Sequence, residues 1–329
     1  MFDLENITGP EFLKTLTEKE LEILAKEIRN FLIEKVSKTG GHLASNLGIV
    51  EITIALHYVF DSPEDKFLFD VGHQSYVHKI LTGRAKEFNS LRKIDGLSGY
   101  ISRTESPHDC FESGHSSTSI STQIGMIFAE ESKRRVVSII GDSSIANGIA
   151  FEGMNFAGGY KSKNPIIILN DNKMGISKSV GSFSQILSRI RGTRPWRGFK
   201  AGLHRIFPTI VTNSFHRIKR GLKGFLQRDN IFEDLGFDYF GPYDGNNIHQ
   251  VIRALEKVKS MNTPCILHLI TKKGKGYEPA EKDDLGLFHG VDAFDPESGM
   301  SNKKSGISFS EVASLSLLTL KKSVDFKVI

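Results

Sequence analysis

Two short strings hold most of the chemistry this chain can offer: GDSSIAN at 141–147 and NDN at 170–172. Magnesium prefers hard oxygen ligands in a tight octahedron and takes only one or two from protein, leaving the rest to water and phosphate. A carboxylate, Asp142, and a side-chain amide, Asn172, each at the end of its own apolar run, meet that requirement. The small residues after Asp142 let backbone N–H groups approach diphosphate oxygens, helped by the start of the following helix. The plain alternative is that Asp142 and Asn147 cap that helix. NDN at the end of the next run weighs against it.

Other polar strings surround this pair. GHSSTSIS at 114–121 opens a helix and suits an anion or the polar edge of a cofactor, although alone it reads more simply as an N-cap cluster. GGHLASNLG at 40–48 sets His42 among glycines, and DVGHQSYVHK at 70–79 sets His73 after an apolar run. His73 and His78 are five apart, not the four of a helical zinc site. Loop histidines beside a diphosphate suit proton transfer and hydrogen bonding to an oxygenated substrate, because their ordinary pKa lies near neutrality. KKGKGYEPAEKDDLGLFHG at 272–290 reads equally as a solvated loop or as a segment bringing Tyr277 and His289 to the same edge. His57 and His268, inside apolar runs, read as structural.

Something must position these residues. Leu21, Leu24, Ile28, Phe31 and Leu32 are spaced for one buried face of a helix over 18–37, and a second helix fits 49–59. KFLFD at 66–70, RRVVSIIGD at 134–142, NPIIILND at 164–171 and PCILHLIT at 264–271 read as short buried strands, with helical patterns over 117–133 and 147–158. Strands separated by helices predict an α/β fold, a doubly wound, mostly parallel sheet with helices on both faces. Ligands of such sheets sit beyond the carboxyl ends of the strands. Asp70, Asp142 and Asn170 to Asn172 all fall there.

Composition removes several function classes. No apolar run reaches the roughly 18–20 residues of a membrane span. The first residues lack a basic stretch followed by an apolar core, so a cytoplasmic protein is expected. The two cysteines, Cys110 and Cys265, stand in no metal-ligand spacing and read as reduced thiols. The net charge is +5, yet Arg189 to Arg228 holds eleven Lys/Arg and no Asp/Glu, which leaves −6 for the remainder. The basicity is one long insertion near 181–230 that interrupts the strand–helix rhythm. Residues 1–298 read as one diphosphate- and magnesium-binding domain. Residues 299–329 read as a linker, a short helix and an apolar ending, VDFKVI, that resembles the start of a second domain.

The strings GGHLASNLG, DVGHQSYVHKILTGR, GLSGYISRTES, GHSSTSIS, LNDNKMGIS, IFEDLGF and TKKGKGYEPAEKD resemble those of thiamine-diphosphate enzymes of the transketolase class. Within that class they are similar to the 1-deoxy-D-xylulose-5-phosphate synthase family. The resemblance implies thiamine diphosphate and Mg2+ as cofactors and a transferase that condenses pyruvate with glyceraldehyde 3-phosphate, releasing carbon dioxide, in isoprenoid and thiamine biosynthesis. Asp142, Asn172 and the Met174 carbonyl would hold magnesium. Ser143 and Ser144 would offer backbone donors to the diphosphate, and His73, Gly114, His115, Ser116, Asn172 and Tyr277 would contact the cofactor. His42, His73 and His289 would face the substrates. The family's second, pyrimidine-binding domain supplies a glutamate that activates the cofactor, and no residue here takes that role. Ser143 stands where the family has glycine, so a positive φ there would be strained. Asn246 stands where histidine is usual.

Two function classes therefore compete. One is an enzyme part, inactive until a separately encoded partner supplies the pyrimidine domain, with a homo-oligomer as the alternative association. The other is a non-catalytic fragment that binds cofactor or dimerises only. A nucleic-acid binder built on the basic insertion is a third, weaker reading, since no nucleic-acid module accompanies the charge. The expected partners are small-molecule substrates, with no nucleic acid and no membrane.

Overall fold

Thr17 starts the first long helix. Its hydroxyl accepts from the Glu20 amide while the Glu20 carboxylate accepts from the Thr17 amide at 2.7 Å, a reciprocal cap that satisfies two otherwise unpaired helix donors. Helix α1 (Glu18–Thr39) buries Leu21, Leu24, Ile28, Leu32 and Val36, the stripe its spacing predicts, and ends where Gly40 turns to φ +73°. The computed structural model describes residues 2–129, 134–160, 164–174, 181–191, 230–301 and 306–323.

Among the described residues five strands form one parallel sheet: β1 (Lys66–Phe69), β2 (Val136–Gly141), β3 (Ile166–Asp171), β4 (Asp238–Asp244) and β5 (Cys265–Ile270), in the order β1-β2-β3-β5-β4. Alternation along each strand builds two cores. Val137, Ile139, Ile166, Ile168, Cys265, Leu267 and Leu269 face one cluster with α1, α3 (Val50–Val59) and the helix Ile248–Lys259. Ile140, Ile167, Leu169 and Ile266 face another with α5 (Ser119–Ala129), α7 (Gly148–Gly159) and α8 (Ser182–Arg191). Helices thus cover both faces, as a doubly wound α/β fold requires. On the second face Gln123 of α5 donates to Val136 O at 2.7 Å and Ile166 O at 2.8 Å, fastening the helix to two strands.

Short helices join these parts: α2 (Ala44–Gly48), α4 (Tyr76–Lys79) and α6 (Asp142–Ile145). The expected strands at 66–70, 134–142, 164–171 and 264–271 and the helices at 18–37, 49–59, 117–133 and 147–158 are found within a few residues. The edge strand β4 and the helix Ile248–Lys259 add to the expected elements. Most of the basic insertion, residues 192–229, lies outside the described residues, and so does the apolar ending VDFKVI. The short helix expected after the linker forms over Phe309–Ser323, with Phe309, Leu315, Leu318 and Leu320 exposed. No helix among the described residues is long and apolar enough to cross a membrane. Cys110 and Cys265 are unpaired thiols.

Candidate active site

Three histidines from distant parts of the chain converge. The ring centroids of His42 and His73 lie 5.3 Å apart, His73 and His289 5.1 Å, and His42 and His289 5.8 Å. Backbone pairing brings them together. Gly41 and Val291 exchange two 2.8 Å hydrogen bonds, and Ala44 N donates to Phe288 O at 3.0 Å, so the 40–44 and 288–291 loops are sewn side by side. Asn46, fully buried, joins His42 to His73: its amide donates to His42 O at 2.7 Å and to His73 O at 2.9 Å, and its carbonyl accepts from Tyr76 N at 2.8 Å. The Tyr76 hydroxyl in turn accepts from His42 N at 3.1 Å. Asn46→Leu keeps the volume but strands two carbonyls and an amide, so a loss of about 3 kcal/mol is expected in urea unfolding. A loss under 1 kcal/mol would show that the bridge is dispensable.

The expectation that these histidines titrate near neutrality is corrected. Burial, then the neighbouring His289 and Arg92, lowers His42 to about 4, against a hydrogen bond to the Gly99 backbone. Burial, then His42, His289 and Lys273, lowers His73 to about 3. Burial and Lys273 lower His289 as well. The trio is therefore neutral at pH 7. The Nδ1 atoms of His42 and His73 are buried with no hydrogen-bond partner among the described residues. Such orphans are uncommon in folded proteins and suit a polar ligand that would satisfy them. Among the described residues no group of three or more His, Cys, Asp or Glu is placed to hold a metal.

The second half of the site lies at the carboxyl ends of β2 and β3. Gly141 pairs with Asn170 in the ladder, which sets Asp142 and the NDN turn side by side. Asp142 is buried at the start of α6. Beyond β3, Asn172 Oδ1 accepts from Met174 N at 3.0 Å, folding the turn so that Lys173 takes φ +65°. Asn172 and Met174 line a cavity of about 370 Å³ together with Ala44, Asn246, Lys273 and Asp283. Ser143 lies in the helical turn and not at positive φ, so its Cβ causes no strain there. Positive φ falls instead on Ser117, at +76°, and Lys173, and on Val71 and Gly114 of the neighbouring loops. Asn147 does not cap α7 with its side chain; its amide donates instead to Ser117 Oγ at 2.8 Å and Ser116 Oγ at 3.4 Å. The helix-cap alternative thus fails for that side chain.

Gly114, His115 and Ser116 are exposed on the loop before α5, next to the 142–147 turn. Tyr277 is buried against Phe288 and Phe294, and its hydroxyl donates to Pro296 O at 3.0 Å. Asn246 serves the fold beside the cavity, donating to Gly48 O at 3.0 Å and Glu51 Oε2 at 3.1 Å while accepting from Lys272 N at 2.7 Å. His57 and His268 are structural as expected. His57 Nε2 meets His78 Nδ1 at 2.9 Å, and His268 bridges Asp171 at 2.8 Å and the Tyr239 hydroxyl at 2.7 Å.

Lys273 links the two halves. Nearly buried, its ammonium is lowered by desolvation and held up by Asp283 and Asp142, and its charge depresses His73 and His289. The Lys-rich string pointed to this segment, but spacing alone did not single out Lys273 from Lys272 and Lys275. Asp70 was legible only as a strand-end carboxylate; it accepts from Ser117 N at 2.8 Å and Ser119 N at 3.2 Å and so anchors the 114–119 loop.

Residues 4–271 match the family model described as 1-deoxy-D-xylulose-5-phosphate synthase. The chain belongs to the 1-deoxy-D-xylulose-5-phosphate synthase family. It is 47% identical over 329 residues to the synthase of Listeria innocua, covering 97% of this chain and 52% of that protein. It is 46% identical over 332 residues to the synthase of Bacillus cereus, with 98% and 52% covered. The chain thus spans about half the length of the curated synthases it matches. Among solved structures it resembles the transketolase of Campylobacter jejuni, with a TM-score of 0.62 and 18% identity over 94% of this chain and 48% of that one. The transketolase of Leishmania mexicana aligns with a TM-score of 0.59 and 17% identity, covering 92% and 45%. At such identities the likeness speaks for the fold, which this part of the synthase family shares with transketolases.

Proposed function

We propose that this chain is the thiamine-diphosphate- and magnesium-binding part of a 1-deoxy-D-xylulose-5-phosphate synthase, acting on pyruvate and glyceraldehyde 3-phosphate. The observation that carries the reading is the convergence of three neutral histidines, two with orphaned Nδ1 atoms, beside Lys273, which lines the Asn172–Met174 cavity, acts on His73 and His289, and feels Asp142 in turn. The donor set fits both groups. Asp142, Asn172 and the Met174 carbonyl offer the hard oxygens magnesium prefers. Ser143, Ser144, Gly114, His115 and Ser116 stand on adjoining loops where backbone donors can meet a diphosphate. Tyr277 would contribute through its ring, since its hydroxyl is already engaged.

When bound, thiamine diphosphate supplies the electron sink for carbon–carbon bond formation with loss of carbon dioxide, and magnesium neutralises the diphosphate. The chain's own residues bind, orient and exclude water. His42, His73 and His289 stay uncharged, so each can present either a donor or an acceptor to a substrate oxygen. Lys273 adds a cation that favours anionic ligands on this side of the sheet.

Residues 1–298 form the diphosphate domain in this reading, and 299–329 lead into a pyrimidine-binding unit. The exposed aromatic group Phe128, Phe156 and Tyr160, with ring centroids 4.7–6.0 Å apart, favours association with a second unit or a second copy. Turnover by residues 1–329 alone is not expected. Calorimetry tests the site directly: thiamine diphosphate should bind weakly and only with magnesium, and Asp142→Ala should weaken binding at least about tenfold. Magnesium-independent binding, or no binding at all, would overturn the reading.

A further inference from the structure

Ser117 occupies a place that its backbone does not favour. It is 1% exposed and stands at φ +76°, where an L side chain is rarely found and where glycine would be at ease. Its hydroxyl explains what serine adds. Oγ donates to Ser144 O at 2.8 Å and accepts from the Asn147 side-chain amide at 2.8 Å. Both bonds cross from the 114–118 loop to the turn 142–147. Behind it, Asp70 at the end of β1 accepts from Ser117 N at 2.8 Å and Ser119 N at 3.2 Å, so the near side of the crossing is tied to the sheet. The Ser113 hydroxyl, by contrast, bonds within its own loop, to Thr118 Oγ1 at 3.0 Å and His115 O at 2.9 Å.

We infer that Ser117 is a positioning residue that locks these two loops into one surface before any ligand arrives. The inference rests on the cofactor reading for what that surface binds. Loops that must be ordered on binding cost affinity, and a crossing bond made in advance removes that cost. Strain kept at a buried site whose surroundings hold it is the pattern expected when the held geometry has a use.

Two variants separate positioning from a merely structural part. Ser117→Gly suits the left-handed backbone and lacks the hydroxyl; Ser117→Ala keeps the strain and also lacks it. With magnesium, both are expected to bind thiamine diphosphate about tenfold more weakly, as loss of the two crossing bonds implies, while Ser117→Gly melts no lower than the parent chain. If glycine preserves affinity, the hydroxyl positions nothing and the inference is overturned. Amide hydrogen exchange of the ligand-free chain supplies a readout independent of binding. The 142–147 amides should exchange faster in both variants, with Ser119–Ala129 unchanged. Unchanged exchange at 142–147 overturns the lock whatever the chain binds. Faster exchange in a chain that never binds thiamine diphosphate upholds the lock and overturns the cofactor reading instead.

Discussion

Between pH 7 and pH 5 the folded chain is expected to lose on the order of 4 kcal/mol of stability, a large share of the roughly 5–15 kcal/mol typical of a folded protein. The cause is its buried neutral histidines. Burial holds His42 at about 4 and His73 at about 3. His78 is lowered to about 4 by burial against the pull of Asp109, and His57, stacked on it, falls well below the ordinary value. In the unfolded chain each titrates near 6.5. Because the folded pKa is the lower one, the unfolded chain binds more protons as pH falls through 6.5, and stability drops by up to about 1.4 kcal/mol per pH unit for each such group. His57 and His78 share a hydrogen bond and act as one group. Depressed carboxylates such as Asp109 and Glu51 keep their contribution until pH falls below about 4.5, outside this window. His249, raised by Glu18 and Glu22, works in the opposite sense but is largely solvated. Urea midpoints at pH 7, 6 and 5 measure the slope, and His73→Asn should flatten it by about one proton's share. A flat profile would mean that these rings are already solvated in the folded chain.

Asp109→Ala should cost about 3–5 kcal/mol, the usual result of removing one member of a buried ionic network. Asp109 is fully enclosed; burial alone would raise its pKa, but hydrogen bonds from His78 and Arg84 carry it well below the usual carboxylate range. His78 Nε2 meets it at 2.9 Å, and Arg84 holds both oxygens, at 2.5 and 3.0 Å. Arg84 also reaches Glu105 at 3.1 Å, which pairs with the fully buried Lys79. Without Asp109, two buried cations share one carboxylate and His78 keeps only its bond to His57. The damage should reach the site, because Glu105 also accepts from Ser98 N at 2.7 Å and so holds the loop that sets Tyr100 against His42, with ring centroids 5.2 Å apart. Guanidinium unfolding gives the energy, and hydrogen exchange at Ser98 gives the local effect. A change below about 1 kcal/mol would show that the network relaxes around the gap.

Much of this architecture could be read in advance, and the exceptions have physical causes. Strands β1, β2, β3 and β5 are buried on both faces, so they stand out as apolar runs. Strand β4 lies at the sheet edge, half-buried, with a register shift between Phe240 and Tyr243 and Pro242 inside it, so it carries neither a run nor an alternation. Asp142, Asn172 and the loop histidines were visible because their residue types stand out at the ends of strands. Asn46, Ser117 and Lys273 were not, because they act on backbone groups or charges far away in sequence, and Asp70 showed only its place at a strand end and not the loop it anchors.

The sequence by itself determined the α/β class, the family and the residue types gathered at the strand ends, since apolar periodicity and motif wording are local properties. The tertiary structure alone decided that His42, His73 and His289 meet, that Lys273 feels Asp142, and that the three rings are neutral. Burial and the field of neighbouring charges depend on which distant segments pack together. A histidine's type therefore announces a proton carrier, and only its surroundings set whether it carries one at pH 7.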